Sequence, residues 1–528
     1  MRCCILGCIV LFATPSFAAE LLPADRPIPE VIDHYVNAHL KAEGVRPVGP
    51  ANEATLLRRT MLDLIGRIPA SVEVREYLKS RDPKKRAQLA DRLMASPEYV
   101  EHQATTFDAF MSGGLRGYLL KALKENRSWD RMFRDLLLGG DPKDPMNREA
   151  ANFLKSRVKD LDKLTNDVSV VFFGVNVSCA KCHDHPLVDD WQQDHFYGMK
   201  SFFNRTFASG NYIGERSYGQ VSYKTTKGEA RNAKLMFLTG SVVKEPKMKE
   251  PNAKERKRME AEFKRLVRQK KQPPLPKFSR RKQLVEIALK KGENAFFAKA
   301  IVNRVWHQYM GYGLVMPLDQ MHSANPPSHP QLMDWLARDF GEHGYDLRRL
   351  IKGIVLSGAY ARSSAWTGKT RPDPSLFAVA AVKPLTPQQL ARSLSLATAD
   401  PVAFTDAKLK SEDRAKRIAQ SASASNANVF EQPGENFQIS ADEALFFSNS
   451  PEVEKRYLNG GLVRRLETMT DAAAIAESAV WSVLCRPPTK DEVKLLSGYI
   501  AARKSRRPQA VRQVVWSLLT GSEFRFNY

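Results

Sequence analysis

A mainly α, multi-helix protein of two domains is predicted here from three observations. Apolar residues recur at helical spacing along most of the chain, in runs bounded by capping residues and glycines. The 528 residues exceed what one hydrophobic core normally holds. The helical pattern breaks at residues 205–278, where short alternating segments give way to a basic stretch rich in Pro and Lys. The expected organisation is a leader at 1–19, an N-terminal helical domain at 29–204, a small β-containing segment with a basic linker at 205–278, and a C-terminal helical domain at 279–528.

The elements follow in order. Met1-Arg2, an apolar run over 3–13 and Pro15-Ser-Phe-Ala-Ala19 have the form of a signal peptide cleaved near Ala18 or Ala19. Eleven apolar residues are too few to span a bilayer, and no later stretch approaches that length. Ile5-Leu6-Gly7-Cys8 resembles a lipobox, but the apolar run continues past Cys8. The expectation is an exported protein, periplasmic or extracellular.

Residues 30–43 predict a helix with Ile32, Tyr35, Val36, His39 and Leu40 on one face. Another runs from Ala54 to a stop at Gly66, and Ser96-Pro97-Glu98 is a strong helix start. Leu161–Phe173 carries an apolar helix into Gly174, and Trp191–Phe203 places Phe196, Met199, Phe202 and Phe203 on one stripe. Tyr212, Tyr218, Val221, Tyr223 and Leu235–Leu238, set between glycines, predict short strands. Downstream, Ser328-His-Pro330 predicts a capped helix burying Leu332, Trp335, Leu336 and Phe340, and Thr386-Pro387 starts another. Residues 401–440 read as a polar excursion, and 512–528 return to helix with Val515, Leu518, Leu519 and Phe524 inward.

Charge is the unusual feature of the composition. The net charge is +23, and residues 244–291 hold 18 Lys and Arg against 6 Glu, a local net of +12. Such a run is either a solvated helix or linker, or a docking surface for an anionic polysaccharide, a lipid surface or an acidic protein. Nucleic acid fits poorly, because the leader exports the chain and no zinc-finger or RNA-binding motif is present.

Cysteine is scarce, and its placement is informative. Of six cysteines, Cys3, Cys4 and Cys8 lie in the leader. Of the remaining three, two form Cys179-Ala-Lys-Cys182-His183, the C-x-x-C-H pattern of c-type haem attachment. In that reading both thiols join the porphyrin and His183 becomes the proximal iron ligand. His195 and Met199 on the next helix are the nearer distal candidates, with Met316, Met321 and His329 more remote. His185, two positions on, points to a different side. Three other chemistries compete: a Cys179–Cys182 disulfide, a Zn or other divalent-metal site from Cys179, Cys182, His185, Asp189 and Asp190, and acid–base catalysis by His183, Asp184, His185, Asp189, Asp190 and Asp194. Cys485, at an apolar helix end, reads as a small buried hydrophobe. No G-x-S-x-G, H-E-x-x-H, Walker or G-x-G-x-x-G pattern is present.

Leu57-Arg-Arg-Thr-Met-Leu-Asp-Leu-Ile-Gly-Arg-Ile-Pro69, Ser96-Pro-Glu-Tyr99 and Cys179–Pro186 together resemble the planctomycete-type cytochrome-like family defined by domain of unknown function 1549. Asn294–Trp306, Gly311–Val315, Asn325–Pro330 and Gly344-Tyr-Asp346 resemble its companion, domain of unknown function 1553. Leu445–Pro451, Arg486-Pro-Pro-Thr489 and Ser522-Glu-Phe524 extend the resemblance toward the C-terminus. The resemblance implies a secreted cytochrome-like protein with no settled activity; the electron-transfer or redox role, with an unidentified redox partner, is expected from the C-x-x-C-H motif itself. Relatives with an added cytochrome domain or further cysteines carry features this chain lacks, so more than one haem is not implied.

Overall fold

The computed structural model describes residues 21–139, 147–184, 188–210, 212–247, 250–271, 273–405, 410–425, 427–433 and 441–528. The leader and His185 lie outside them. Helices dominate, and the β-structure consists of small two-stranded antiparallel sheets. No described helix is long and apolar enough to cross a membrane.

The local signals are realised where a cap or a glycine enforces them. Helix Glu53–Ile65 starts at Asn52, whose Oδ1 accepts from Thr55 N at 2.9 Å, and stops at Gly66, φ 70°. Ser96 Oγ accepts from Tyr99 N at 3.2 Å, opening Pro97–Phe110. Thr386 and Gln389 form a reciprocal capping box for Pro387–Ala397. Helix Pro330–Glu342 buries Leu332, Trp335, Leu336 and Phe340 as expected, but Ser328 does not cap it. Its hydroxyl bonds instead to His329 Nδ1 at 3.0 Å. The polar excursion at 401–440 contains an ordered helix, Ser411–Ser421, anchored by buried Ile418.

The predicted strands form three hairpins: Thr206–Ser209 with Tyr212–Glu215, Ser222–Lys224 with Ala230–Asn232, and Leu235–Met236 with Val242–Val243. The basic stretch after them is not a free linker. Helix Ala253–Arg268 rests Phe263 on Phe207 of the first hairpin, ring centroids 4.9 Å apart. Arg280 and Arg281, two of its counted charges, are buried against Glu245 and Glu215.

The two halves share one continuous core rather than closing two. Helix Leu161–Phe173 packs on Ala295–Met310, Trp129–Leu138 on Arg280–Leu289, and the first helix, Ile28–Ala42, on Leu347–Leu356. The C-terminus is tied in as well. Phe526–Asn527 pairs with Lys383–Pro384, and the guanidinium groups of buried Arg58 and Arg59 donate to the carbonyls of Phe524, Phe526 and Tyr528.

Candidate functional site

The C-x-x-C-H turn is placed by the end of one helix and a strand-like segment from the second half. Helix Leu161–Phe173 ends at Gly174, φ 66°, where a Cβ would sit 2.9 Å from Met321 Sδ. The left-handed turn and this close contact both call for glycine. The chain then runs alongside residues 319–321: Met321 N donates to Gly174 O at 3.0 Å and Asn176 N to Asp319 O at 2.8 Å. Asn176 Oδ1 accepts from Ser178 N and Oγ, at 3.1 and 2.6 Å, and so starts a 3₁₀ turn over Ser178–Lys181.

That turn decides where the thiols face. The 3₁₀ helix ends at Lys181 and Cys182 is its C-cap, one turn beyond Cys179. Both are exposed and unbridged, while Ala180 between them is buried. His183 is exposed, and its Nδ1–H donates to Asp184 O at 2.7 Å. Nδ1 is thus the donor, so in the neutral ring Nε2 carries the lone pair, the arrangement in which a backbone carbonyl orients a metal-binding imidazole.

Helix Gln193–Phe203 clamps the turn from the side. Gln193 Nε2 donates to Cys182 O at 3.2 Å and Lys181 O at 3.4 Å, and Tyr197 OH to Lys181 O at 3.1 Å. Asp184 Oδ1 accepts from Gln193 N at 2.9 Å. The second hairpin braces this clamp: Thr226 N donates to Gln193 Oε1, and Tyr223 stacks on Tyr197 at 4.1 Å. Lys181 and Lys200 both pair with Asp162. Burial would raise the Asp162 pKa, but the two ammonium groups hold it below its usual value. Gln193, Tyr197 and Asn176 were not singled out from the sequence. A side-chain amide or hydroxyl that bonds to a backbone carbonyl leaves no mark in composition or spacing.

The other predicted site residues are placed less favourably for iron. Met199 is fully buried in the core, and Met321 is 6 % exposed against Gly174. His195 Nδ1 accepts from Gln192 N at 3.2 Å in a helix-capping role, and burial lowers its pKa against the pull of Asp194, Asp190 and Asp184. Asp190 directs both carboxylate oxygens to Ser323, at 2.7 Å to N and 2.6 Å to Oγ. Asp189 is exposed. Among the described residues no three His, Cys, Asp or Glu side chains converge on a metal position, and His185 lies outside them. Cys485 is the buried hydrophobe expected: its thiol donates to Pro69 O at 3.2 Å, and burial pushes its pKa up to about 12.

A covalent c-type haem would be held by the thiols of Cys179 and Cys182, which are exposed and unbridged, and by His183, whose Nδ1 bonds to a backbone carbonyl. The fold and the turn thus define a helical protein with a braced, outward-facing C-x-x-C-H motif. Residues 31–113 and 111–208 match the family described as protein of unknown function DUF1549, and residues 280–429 match protein of unknown function DUF1553. The chain belongs to the family that joins the first to the second, in that order. The C-terminal residues 430–528 lie beyond both matches. No curated protein and no solved structure matches the chain.

Proposed function

We propose that the chain is an exported redox protein carrying one covalent c-type haem on Cys179 and Cys182, with His183 as proximal ligand. The observation that carries the reading is the His183 Nδ1–H bond to Asp184 O beside two outward, unbridged thiols. Bound there, the haem would supply a one-electron iron couple. Cys179 and Cys182 would hold the group by thioethers, each S–H adding across one vinyl group with nothing leaving. That step needs reduced thiols. Gln193 and Tyr197 hold the backbone carbonyls of Lys181 and Cys182 and so brace the turn that carries the thiols. Asp184 supplies the carbonyl that orients His183 and anchors its own carboxylate on Gln193 N. Export supports the reading through the leader at 1–19, since bacterial attachment to this motif occurs outside the cytoplasm.

Produced in a host with a working cytochrome-maturation system, the protein should show a Soret band that survives acid–acetone extraction and denaturing electrophoresis. Replacing Cys179 and Cys182 together by Ser should abolish it, and His183→Ala should leave at most a misligated haem with a shifted spectrum. A colourless wild-type protein from that host overturns the reading. Metal retained by His183→Ala but lost by His185→Ala would instead support the divalent-metal site.

A second role, in binding, is favoured by helix Ala253–Arg268, none of whose side chains is buried. Met259, Phe263, Leu266 and Val267 form its half-buried face, and Lys254, Lys257, Arg258 and Lys264 are exposed. This helix is proposed to dock an anionic polysaccharide. Binding to heparin should weaken steeply between low and physiological salt. Changing those four side chains to Gln should reduce binding while altering stability by less than about 0.5 kcal/mol per site. Salt-independent binding, or none, returns the helix to a solvated cover for the first hairpin.

A further inference from the structure

The last hundred residues contain a groove that neither the core nor the motif uses. Helices Ala472–Val483, Lys490–Ala501 and Arg507–Thr520 pack as a three-helix bundle, and the last two are joined by a short turn and so run antiparallel. Their outer side encloses a cavity of about 640 Å³, with Leu495, Leu496 and Tyr499 on one wall and Arg512, Gln513 and Trp516 on the other. Tyr499 OH donates to Gln513 Oε1 at 2.6 Å across the floor. Leu495 is 72 % exposed and Trp516 38 %. Trp516 Nε1 donates to Phe447 O, which brings in helix Ala441–Asn449 and its 55 % exposed Leu445. Large apolar side chains gathered in one open concavity are unfavourable in water and mark interaction surfaces.

One end of this groove is strongly basic. The turn between its two walls reads Arg503-Lys-Ser-Arg-Arg507, with Arg503, Lys504 and Arg506 exposed. None of these three has a carboxylate partner among the described residues; Arg503 lies over the Tyr499 ring, 3.7 Å from its centroid. The cavity is lined from Leu495 to Tyr499 on one wall and from Gln509 to Ser517 on the other, the longer about 12 Å at 1.5 Å per residue. That length receives about two turns of a helix. Leu495 and Tyr499 stand four apart on one wall and Arg512 and Trp516 four apart on the other, so both present rows at helical pitch.

We infer that this groove receives an amphipathic α-helix of a partner protein, its apolar stripe on Leu495 and Trp516 and its acidic end on Arg503, Lys504 and Arg506. This is helix-in-groove recognition, in which apolar anchors give affinity and end charges fix direction. A flat membrane fits the site less well, because the apolar surface is concave and the positive charge sits at one end rather than around it. A second copy of the chain fits less well again. A two-fold contact would bring the same basic turns into one interface, on a chain already carrying +23.

The test uses the full chain and a fluorescein-labelled 14-residue helical peptide with Leu at every third or fourth position and Glu elsewhere. Its counterpart has Lys in place of Glu. Anisotropy should report binding of the Glu peptide and about ten-fold weaker binding of the Lys peptide. Leu495→Glu should weaken the Glu peptide about ten-fold, and Arg503→Glu with Arg506→Glu should reverse the preference between the two peptides. Leu495 is solvent-facing, so its variant should melt like wild type, which circular dichroism checks. Equal binding of both peptides overturns the inference. So does tighter capture by phosphatidylglycerol vesicles with the same variant sensitivity, which would assign the surface to a membrane. A concentration-dependent dimer lost in Leu495→Glu would assign it to a second copy and equally overturn it.

Discussion

Lowering the pH from 6.5 toward 4 should unfold the protein through two buried histidines and a half-buried one before its carboxylates matter. His102, His307 and His329 have pKa values lowered to about 3, 4 and 4. Burial is the chief cause in each. The charges of Arg392 and Lys383 add to it at His102, where a bond to the Asp63 backbone opposes; Lys383 and Arg304 add at His307, and His39 and Arg362 at His329. In the unfolded chain each imidazole takes up a proton near pH 6.5, while in the folded state it stays neutral. The unfolded state therefore binds more protons between these limits, and stability falls with falling pH. Each group contributes a slope of up to about 1.4 kcal/mol per pH unit, and the three together about 4 kcal/mol per unit. For a stability of roughly 5–9 kcal/mol, the lower part of the usual range, that places the acid midpoint between about pH 5 and 4. Carboxylates act lower. Glu492, held near 2 chiefly by its hydrogen bonds to Arg486, contributes stability that is lost only as pH falls from about 4.5 toward 2. Denaturant melts at pH 5 and 6 should show uptake of about three protons on unfolding, and about two in His102→Gln. Proton uptake near zero, or a midpoint below pH 3.5, would sink the prediction.

Those histidines illustrate what the sequence made legible and what it did not. Local chemistry was readable because it acts within a few residues: Ser96 and Thr386 cap, and Gly66 and Gly174 stop. The C-x-x-C-H pattern was readable for the same reason, whereas its 3₁₀ turn rests on Asn176, whose side chain holds Ser178. What spacing concealed was pairing across long sequence separations. Arg58, Arg59, Asp63 and Arg67 look like the polar side of a helix, yet all are 5 % exposed or less, and their partners come from distant segments or neighbouring helices. Asp190 was a plausible metal ligand until Ser323, far along the chain, occupied both its oxygens. The basic run was counted correctly, but burial of Arg280 and Arg281 depended on Glu245 and Glu215, placed by the hairpins. The single shared core had the same origin: helices on either side of the basic stretch present apolar faces that complete one another.

Arg67→Ala should destabilise the protein by about 3–5 kcal/mol, the cost of breaking a buried ion pair from one side. Arg67 is 2 % exposed, and all five of its N–H donors are used. Nη1 donates to Glu73 Oε2 at 2.7 Å and Ile68 O at 3.0 Å, Nη2 to Glu73 Oε1 at 3.1 Å and Glu98 Oε2 at 3.2 Å, and Nε to Glu98 Oε1 at 2.8 Å. Glu98 keeps a partner when Arg67 is lost, because Arg392 lies 3.0 Å away. Glu73 does not fare as well. Burial raises its pKa, and the charge and hydrogen bonds of Arg67 are the main forces holding it below the usual value. Without them the carboxylate must either stay charged in a poorly solvated site or take up a proton. Its Oε2 also accepts from Ala70 N at 2.8 Å, so the start of helix Ser71–Lys79 loosens with it. The sign of the linkage follows. In wild type the Glu73 contribution is complete above its unfolded pKa and is lost as pH falls through the folded one; in Arg67→Ala that contribution is missing at neutral pH already. Adding Glu73→Gln to Arg67→Ala should recover part of the loss, because the stranded charge is gone, and the two single costs should exceed the double by 0.5 kcal/mol or more, on the order of couplings between contacting residues. Urea melts of the three variants at pH 7 measure this directly. A single-mutant cost below about 1 kcal/mol, within the range of ordinary surface pairs, would mean that Arg67 is solvated in the folded protein. The stretch from Leu57 to Pro69 would then owe its form to something other than the buried network.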